Sequence, residues 1–193
     1  MRPKAMPALA ATLLAFSALT PYPVLAAKKP VERFVAFAVD TSEIATRTRA
    51  GTVEIGIERW SSDEDVKALQ AALKEGGPDA LLRKLQKEDR VGFIRGSGSL
   101  GYPLRFAHQE TLPGGGRRLL IATDRPIGFL ESVNRPRTID YPFVIVDIRL
   151  DSDGKGDGKL LPLAKITASD NVIEVENFAS VPVRLTQVRT EKS

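Results

Sequence analysis

Cysteine is absent from the 193 residues, and histidine and tryptophan occur once each. Without cysteine there is no disulfide, no thiol nucleophile and no sulfur to carry a lipid, so stability has to come from an ordinary apolar core. The single histidine, His108, excludes the histidine clusters that hold zinc, and any Ser-His-Asp triad would have to use it. No Gly-x-Ser-x-Gly elbow is present; Gly96-Ser97-Gly98 is only a glycine-flanked serine. After residue 26 no apolar run is long enough to cross a membrane.

What is present begins with a leader. Arg2 and Lys4 form a positive start, an Ala/Leu-rich run follows from Ala8 to Leu19, and Pro21, Pro23 and Val24-Leu25-Ala26 precede a cleavage point. Residues 1–26 therefore read as a secretory signal peptide, too short in its apolar run to be a membrane anchor. Removing Arg2 and Lys4 leaves 26 basic residues against 24 acidic ones, a mature charge of +2. That balance, with no basic cluster interleaved with aromatics, argues against a nucleic-acid partner. The expected product is one α+β domain over residues 27–193.

The organising stretch is Tyr102 to Asp124. Leu104, Phe106 and His108 alternate with Arg105, Ala107 and Gln109; Pro113-Gly114-Gly115-Gly116 interrupts; Leu119 and Ile121 then alternate with Leu120 and Ala122. Period-two segments around a Gly-rich turn predict a β-hairpin. Upstream, Arg33–Val39 is apolar on both faces and predicts a strand buried on both sides. Thr52–Trp60 alternates as a half-exposed strand, and Val91–Ile94 is another. Between them Ser61-Ser62-Asp63-Glu64-Asp65 is rich in helix-capping residues, Val66, Leu69 and Leu73 recur at helical spacing, and Gly76-Gly77-Pro78 interrupts before Leu81, Leu82 and Leu85. This predicts a two-helix hairpin at about residues 62–88, with helices over Asp63–Glu75 and Asp79–Lys87. Downstream, Ile127–Leu130 is a short strand candidate and Ser132–Arg137 a loop. Phe143–Leu150 is the strongest strand, followed by an Asp151–Gly158 turn. Leu160–Thr167, Val172–Asn177 and Val183–Val188 are three more strands, with Asp170-Asn171 turning the chain between the first two. Short turns argue for antiparallel pairing. The fold class is α+β: a mainly antiparallel sheet, a sandwich or partial barrel, with the helical hairpin packed on it.

The segments IERWSSDEDVKALQAALKEGGPDALLRKLQ, VGFIRGSGSLGYPLRFA, GGRRLLIATDRPIGF and IDYPFVIVDIRLDSDGKGDGK resemble a family of small exported bacterial proteins. The resemblance runs from about Phe34 to Val188. It implies export and a single domain, and it carries no catalytic residue over.

Candidate sites are few. Asp151, Asp153 and Asp157, spaced by glycines, have the residue types to wrap a hard cation such as calcium, but an EF-hand would want oxygen and Glu ligands where Lys155 and Pro162 stand. A solvated turn explains the same residues, and only weak calcium binding is expected. Arg117 and Arg118 beside Gly114–Gly116 form a weak anion site; the glycines lead into a strand, not a helix, and no Lys-Ser/Thr follows. Trp60 and Tyr102 are candidates for lining a ligand patch, together with Tyr141. Asp124, Asp140 and Asp147 are carboxylates available for acid–base pairing, and His108 reads as structural. No catalytic residue and no cofactor is assigned. The chain is expected to be an exported, non-catalytic extracytoplasmic domain, periplasmic in a Gram-negative host and otherwise secreted. It would bind a protein or small-molecule partner through its sheet or loops, with no membrane span after signal cleavage. The alternative is a carboxylate-based or metal-assisted hydrolase.

Overall fold

The computed structural model describes residues 29–41, 49–125, 143–169, 172–177 and 181–191. The expected signal segment, strand Ile127–Leu130, loop Ser132–Arg137 and turn Asp170-Asn171, together with Asp140 and Tyr141, lie outside these residues.

Among the described residues, ten strands and one helix follow in the order β1 (Glu32–Asp40), β2 (Arg49–Ile57), α1 (Asp63–Lys87), β3 (Gly92–Gly96), β4 (Tyr102–Leu104), β5 (Phe106–Thr111), β6 (Arg117–Thr123), β7 (Phe143–Leu150), β8 (Lys155–Ser169), β9 (Val172–Asn177) and β10 (Val183–Glu191). All pairings are antiparallel, and the sheet runs β4-β3-β2-β1-β10-β8-β7-β6-β5, with β9 paired to the far half of β8. The two ends of that path, β4 and β5, are consecutive in the chain with only Arg105 between them. The sheet therefore curls back on itself into a nearly closed antiparallel barrel. The Arg105 N–H donates to Ala122 O at 3.1 Å, and Thr123 Oγ1 donates to Pro103 O at 2.9 Å, tying the β4 end to β6. Closure removes exposed sheet edges along this seam.

The predicted hairpin forms as β5–β6, Phe106 opposite Ala122 through Thr111 opposite Arg117. Gly114 and Gly115 take φ of 90° and 86°, which the turn requires and other residues resist. One expectation inside it fails. Leu104 and Ala107 both point into the barrel while Phe106 points out, so Leu104 and Phe106 do not share a face. The chain changes partner strand at Arg105, and the alternation slips there.

The barrel interior is filled by Phe34, Val53, Ile55, Ile57, Ile94, Leu119, Ile121, Val144, Val146, Ile148, Leu160 and Leu185 among others, all essentially inaccessible. It is a packed core, not a channel. The first half of β7 is buried on both faces: Val144, Val146, Ile148 and Leu150 point inside along the strand, Phe143 and Ile145 lie outside beneath the helix, and beyond them Arg149 is exposed. β1 is not. Phe34, Ala36 and Ala38 are interior, but Phe37 is 42% exposed. No layer among the described residues covers its outer face, so the expectation of two-sided burial is wrong there.

The expected helical hairpin is also wrong. α1 is one helical element of 25 residues, kinked at Gly77 (φ 66°, ψ −163°) with Pro78 following. A hairpin needs a loop that reverses the chain. A single residue of positive φ only bends it. Leu69, Leu73, Leu81 and Leu85, spaced in multiples of four, stay on one stripe and pack on Phe106, Phe143, Ile145 and Ala164. Ser62 caps the helix as the sequence predicts: its Oγ accepts from Asp65 N–H at 3.2 Å, and Asp65 Oδ2 accepts from Ser62 N–H at 2.9 Å.

The Asp151–Gly158 turn is shorter than expected. It occupies Asp151–Gly154, and Lys155, Gly156, Asp157 and Gly158 are the start of β8. Gly156 and Gly158 serve close approach: a Cβ on them would stand 1.9 Å from Arg149 O and 2.7 Å from Asp147 O. Two strands carry bulges. Pro162 falls where the β7–β8 register shifts, a position that tolerates a missing N–H. β10 holds one extra residue between Leu185 and Val188, where Gln187 takes φ of 53°.

Candidate functional site

The polar candidates are mostly consumed by the fold. Arg117 starts β6 and Glu32 starts β1, strands that are not neighbours in the sheet. Their bidentate pair, at 2.6 and 3.2 Å, therefore crosses the end of the barrel. Arg117 also donates to Gln109 Oε1 at 3.0 Å. Arg118, on the opposite face of β6, grips Asp147 of β7 with two donors at 3.0 Å each. Hydrogen bonds from these arginines to Glu32 and Asp147 raise both guanidinium pKa values further. The two arginines face different ways and are not brought together as one anion site.

Trp60 and Tyr102 are half-buried and both pack against the interior cluster. His108 stacks on Phe106, ring centroids 6.2 Å apart, with Nδ1 3.4 Å from Ser61 O. Ser61, buried, donates its N–H to Ala107 O at 2.6 Å and accepts from Ala107 N–H at its Oγ, 3.1 Å. The start of the helix is thus laced to β5. Asp124, with a side chain only 6% exposed, lies 3.7 Å from Arg105 Nε and 3.6 Å from Arg125 Nε.

Asp151 is a turn organiser. Its Oδ1 accepts from Asp153 N–H and Lys155 N–H, both at 2.9 Å. Asp157 stands on β8 opposite Arg149. Among the described residues no three His, Cys, Asp or Glu side chains are grouped so as to hold a metal, which covers Asp151, Asp153 and Asp157. A shallow depression of about 710 Å³ lies over this hairpin between Asp147, Arg149, Asp151, Lys155, Asp157 and Lys159.

A different feature has the character of a ligand site. Between α1 and the outer barrel face is a groove of about 170 Å³, lined by Leu69, Leu73 and Leu81 on the helix and by Phe106, Leu120, Ala122, Phe143, Ile145 and Ile166 on the strands. Val175 of β9 also lines it, and among the described residues Gln70 is the one polar lining residue. The groove follows from the helix sequence. α1 buries nothing between Leu73 and Leu81, the stretch that contains Gly76, Gly77 and Pro78. The sheet below remains apolar there because β6 and β7 carry large side chains on both faces. Apolar concavity with few polar groups is the usual form of a small-molecule site.

Sequence reasoning places several of these lining residues on helix and strand faces but assigns none of them to a ligand site. A signal existed: Leu120, Ala122, Phe143 and Ile145 are apolar on the face opposite the barrel core, and a helix with a Leu stripe precedes them. What sequence could not supply is that the two halves of the helix leave a gap over that face.

Among the described residues no helix is long and apolar enough to cross a membrane. No protein-family model matches the chain, and no curated protein and no solved structure matches it.

Proposed function

We propose that this chain is an exported, non-catalytic binding domain that takes a small apolar group in the groove beneath α1. Export rests on residues 1–26, whose charged start, apolar run and cleavage pattern are those of a signal peptide. The working compartment is then the periplasm of a Gram-negative host, or the exterior otherwise.

The observation that carries the binding reading is the groove of about 170 Å³ and its lining of leucine, isoleucine, phenylalanine and alanine. A cavity of about 150 Å³ with similar walls stays dry and binds benzene. The ligand class is therefore a short alkyl chain or a single aromatic ring. Gln70 stands exposed at the rim with an amide that both donates and accepts. Among the described residues no lysine or arginine lines the groove, so a neutral polar end such as a hydroxyl suits it better than a carboxylate. For the hydrolase reading no observation speaks: Asp124 and Asp147 are each held by arginine.

Calorimetric titration with octanol tests this. One saturable site is expected, and Ala122→Phe, which fills the groove from its floor, abolishes it while leaving the circular dichroism unchanged. Absence of saturable binding, or binding indifferent to Ala122→Phe in a folded variant, would refute the assignment.

A further inference from the structure

We propose that the outer face of β1, β10 and the first half of β8 docks on an anionic lipid surface. The proposal does not depend on the groove, with which it shares no residue.

Two cross-strand pairs join like charges. Lys159 stands directly opposite Arg184, and Lys155 opposite Arg189. All four are exposed. Like charges directly opposite one another destabilise a sheet, so this arrangement costs the folded state. The neighbouring acids do little to relieve it. Asp147 faces Lys159 from β7 but is held by both Nε and Nη2 of Arg118. Asp157 lies between the two lysines on β8, with Arg149 opposite it. Arg189 reaches Glu191 at 3.7 Å, but both side chains are well exposed and such a pair is weak. Lys155, Lys159, Arg184 and Arg149 make no ion pair among the described residues.

The β10 bulge builds this face. Leu185 points inward, and strict alternation would turn residue 189 inward as well. The extra residue at Gln187, held at φ 53°, reverses the parity, so Val188 is buried and Arg189 is exposed beside Lys155. A non-glycine residue in that backbone region is uncommon. Here its consequence is a second cation on the outer face.

An apolar strip borders the basic one. Val39 faces Arg184, Phe37 faces Thr186 and Val35 faces Arg189 across β1–β10. Phe37 is 42% exposed, and Ala50 and Thr52 continue the uncharged surface onto β2. A dissolved polyanion would satisfy the four cations and leave Phe37 in water. An anionic bilayer satisfies both, with headgroups on Lys155, Lys159, Arg184 and Arg189 and the Phe37 ring at the interface.

The test is cosedimentation of the full chain with vesicles of phosphatidylcholine alone or with added phosphatidylglycerol. Binding is expected only to the anionic vesicles, and it should fall as salt rises. Lys159→Glu with Arg184→Glu should weaken it more than about tenfold, from the loss and reversal of two surface charges. Because all variants share one chain, the comparison isolates this face from Arg2, Lys4 and the apolar leader. Phe37→Ser, a change on an exposed position, should weaken binding without unfolding the barrel. The proposal is overturned if anionic vesicles are not bound, if the double charge reversal binds as before, or if heparin at equal charge competes fully and Phe37→Ser has no effect. The last result would mark a site for polyanions instead.

Discussion

Arg105 Nη1 donates to the main-chain oxygen of Glu88 across 2.9 Å. This bond joins the bend that closes the barrel to the C-terminal cap of α1. The same guanidinium faces the enclosed Asp124 carboxylate, and the main-chain N–H of Arg105 donates to Ala122 O at the seam. One residue thus fixes the seam, the end of β6 and the end of the helix that roofs the groove. A positive charge at a helix C-terminus also suits the helix dipole.

Arg105→Met should lower stability by about 2 kcal/mol, the range for a hydrogen bond from a charged group. For a chain of this size that is a fall in Tm of about 6 °C. Arg105→Lys should recover little of it, because an ammonium lacks the fork that reaches Glu88 and Asp124 together. Thermal melts of the three proteins decide this. An unchanged Tm for Arg105→Met would show that the seam holds without it.

Val146→Asp should be far more damaging than Asp153→Ala. Val146 is 1% exposed inside the barrel, and an unpaired carboxylate there costs several kcal/mol. Asp153 is an exposed turn residue whose backbone N–H, not its carboxylate, is used by Asp151. Asp151→Ala should fall between them, since one carboxylate oxygen accepts two turn N–H groups. Urea midpoints should rank in that order, and similar midpoints for Val146→Asp and Asp153→Ala would contradict the placement of the core.

Gly156→Ala and Gly51→Ala make a matched pair. A methyl at position 156 meets Arg149 O at 1.9 Å, so β7 and β8 must part and about 2–3 kcal/mol is lost, as in overpacked cores. A methyl at position 51 meets nothing within 4 Å, and the variant should match the parent or gain about 0.5 kcal/mol through its stiffer unfolded chain. Equal melting of the two variants would show that the β7–β8 contact is looser than described.

The Asp65 carboxylate is held below its usual pKa, first by the Ser62 N–H and then by Arg59. A lowered folded value means its stabilisation is whole above the unfolded carboxylate pKa of about 3.9 and is lost as pH falls through the folded value. Asp65→Asn should therefore be less stable than the parent at pH 7, by about 0.5–1 kcal/mol for a charge at a helix N-terminus, and equal to it in strong acid. A gap that persists at acid pH would assign the effect to packing instead.

Much of the barrel could be read from the chain because period-two patterns are local. The β5–β6 hairpin and the two faces of β7 follow from alternation in Phe106–Thr123 and Phe143–Leu150. The Ser62 cap was equally readable, since N-terminal capping needs only residues within one turn. What escaped depends on residues far apart. The parity slip at Arg105 arises because β4 pairs β3 while β5 pairs β6, which neither segment records alone. Asp157 and its flanking glycines look like a turn, yet they are strand because β7 comes within contact of their backbone. Gly76-Gly77-Pro78 looks like a hairpin, but the Leu stripe continues across it on the same side. Arg117 and Arg118 look like a pair, and their partners Glu32 and Asp147 are 85 and 29 residues away. The groove was hidden for the same reason: it is the space between a helix and strands that follow it much later.

Methyl-resolved NMR with octanol tests the central claim most directly, because each wall of the groove reports separately. Methyls of Leu69, Leu73, Leu81, Leu120 and Ile145 should shift together along one saturation curve, while Val146, Ile148 and Leu185 inside the barrel stay in place. Saturable shifts confined to other surfaces, or no shift of the groove methyls up to the solubility of octanol, would contradict the account.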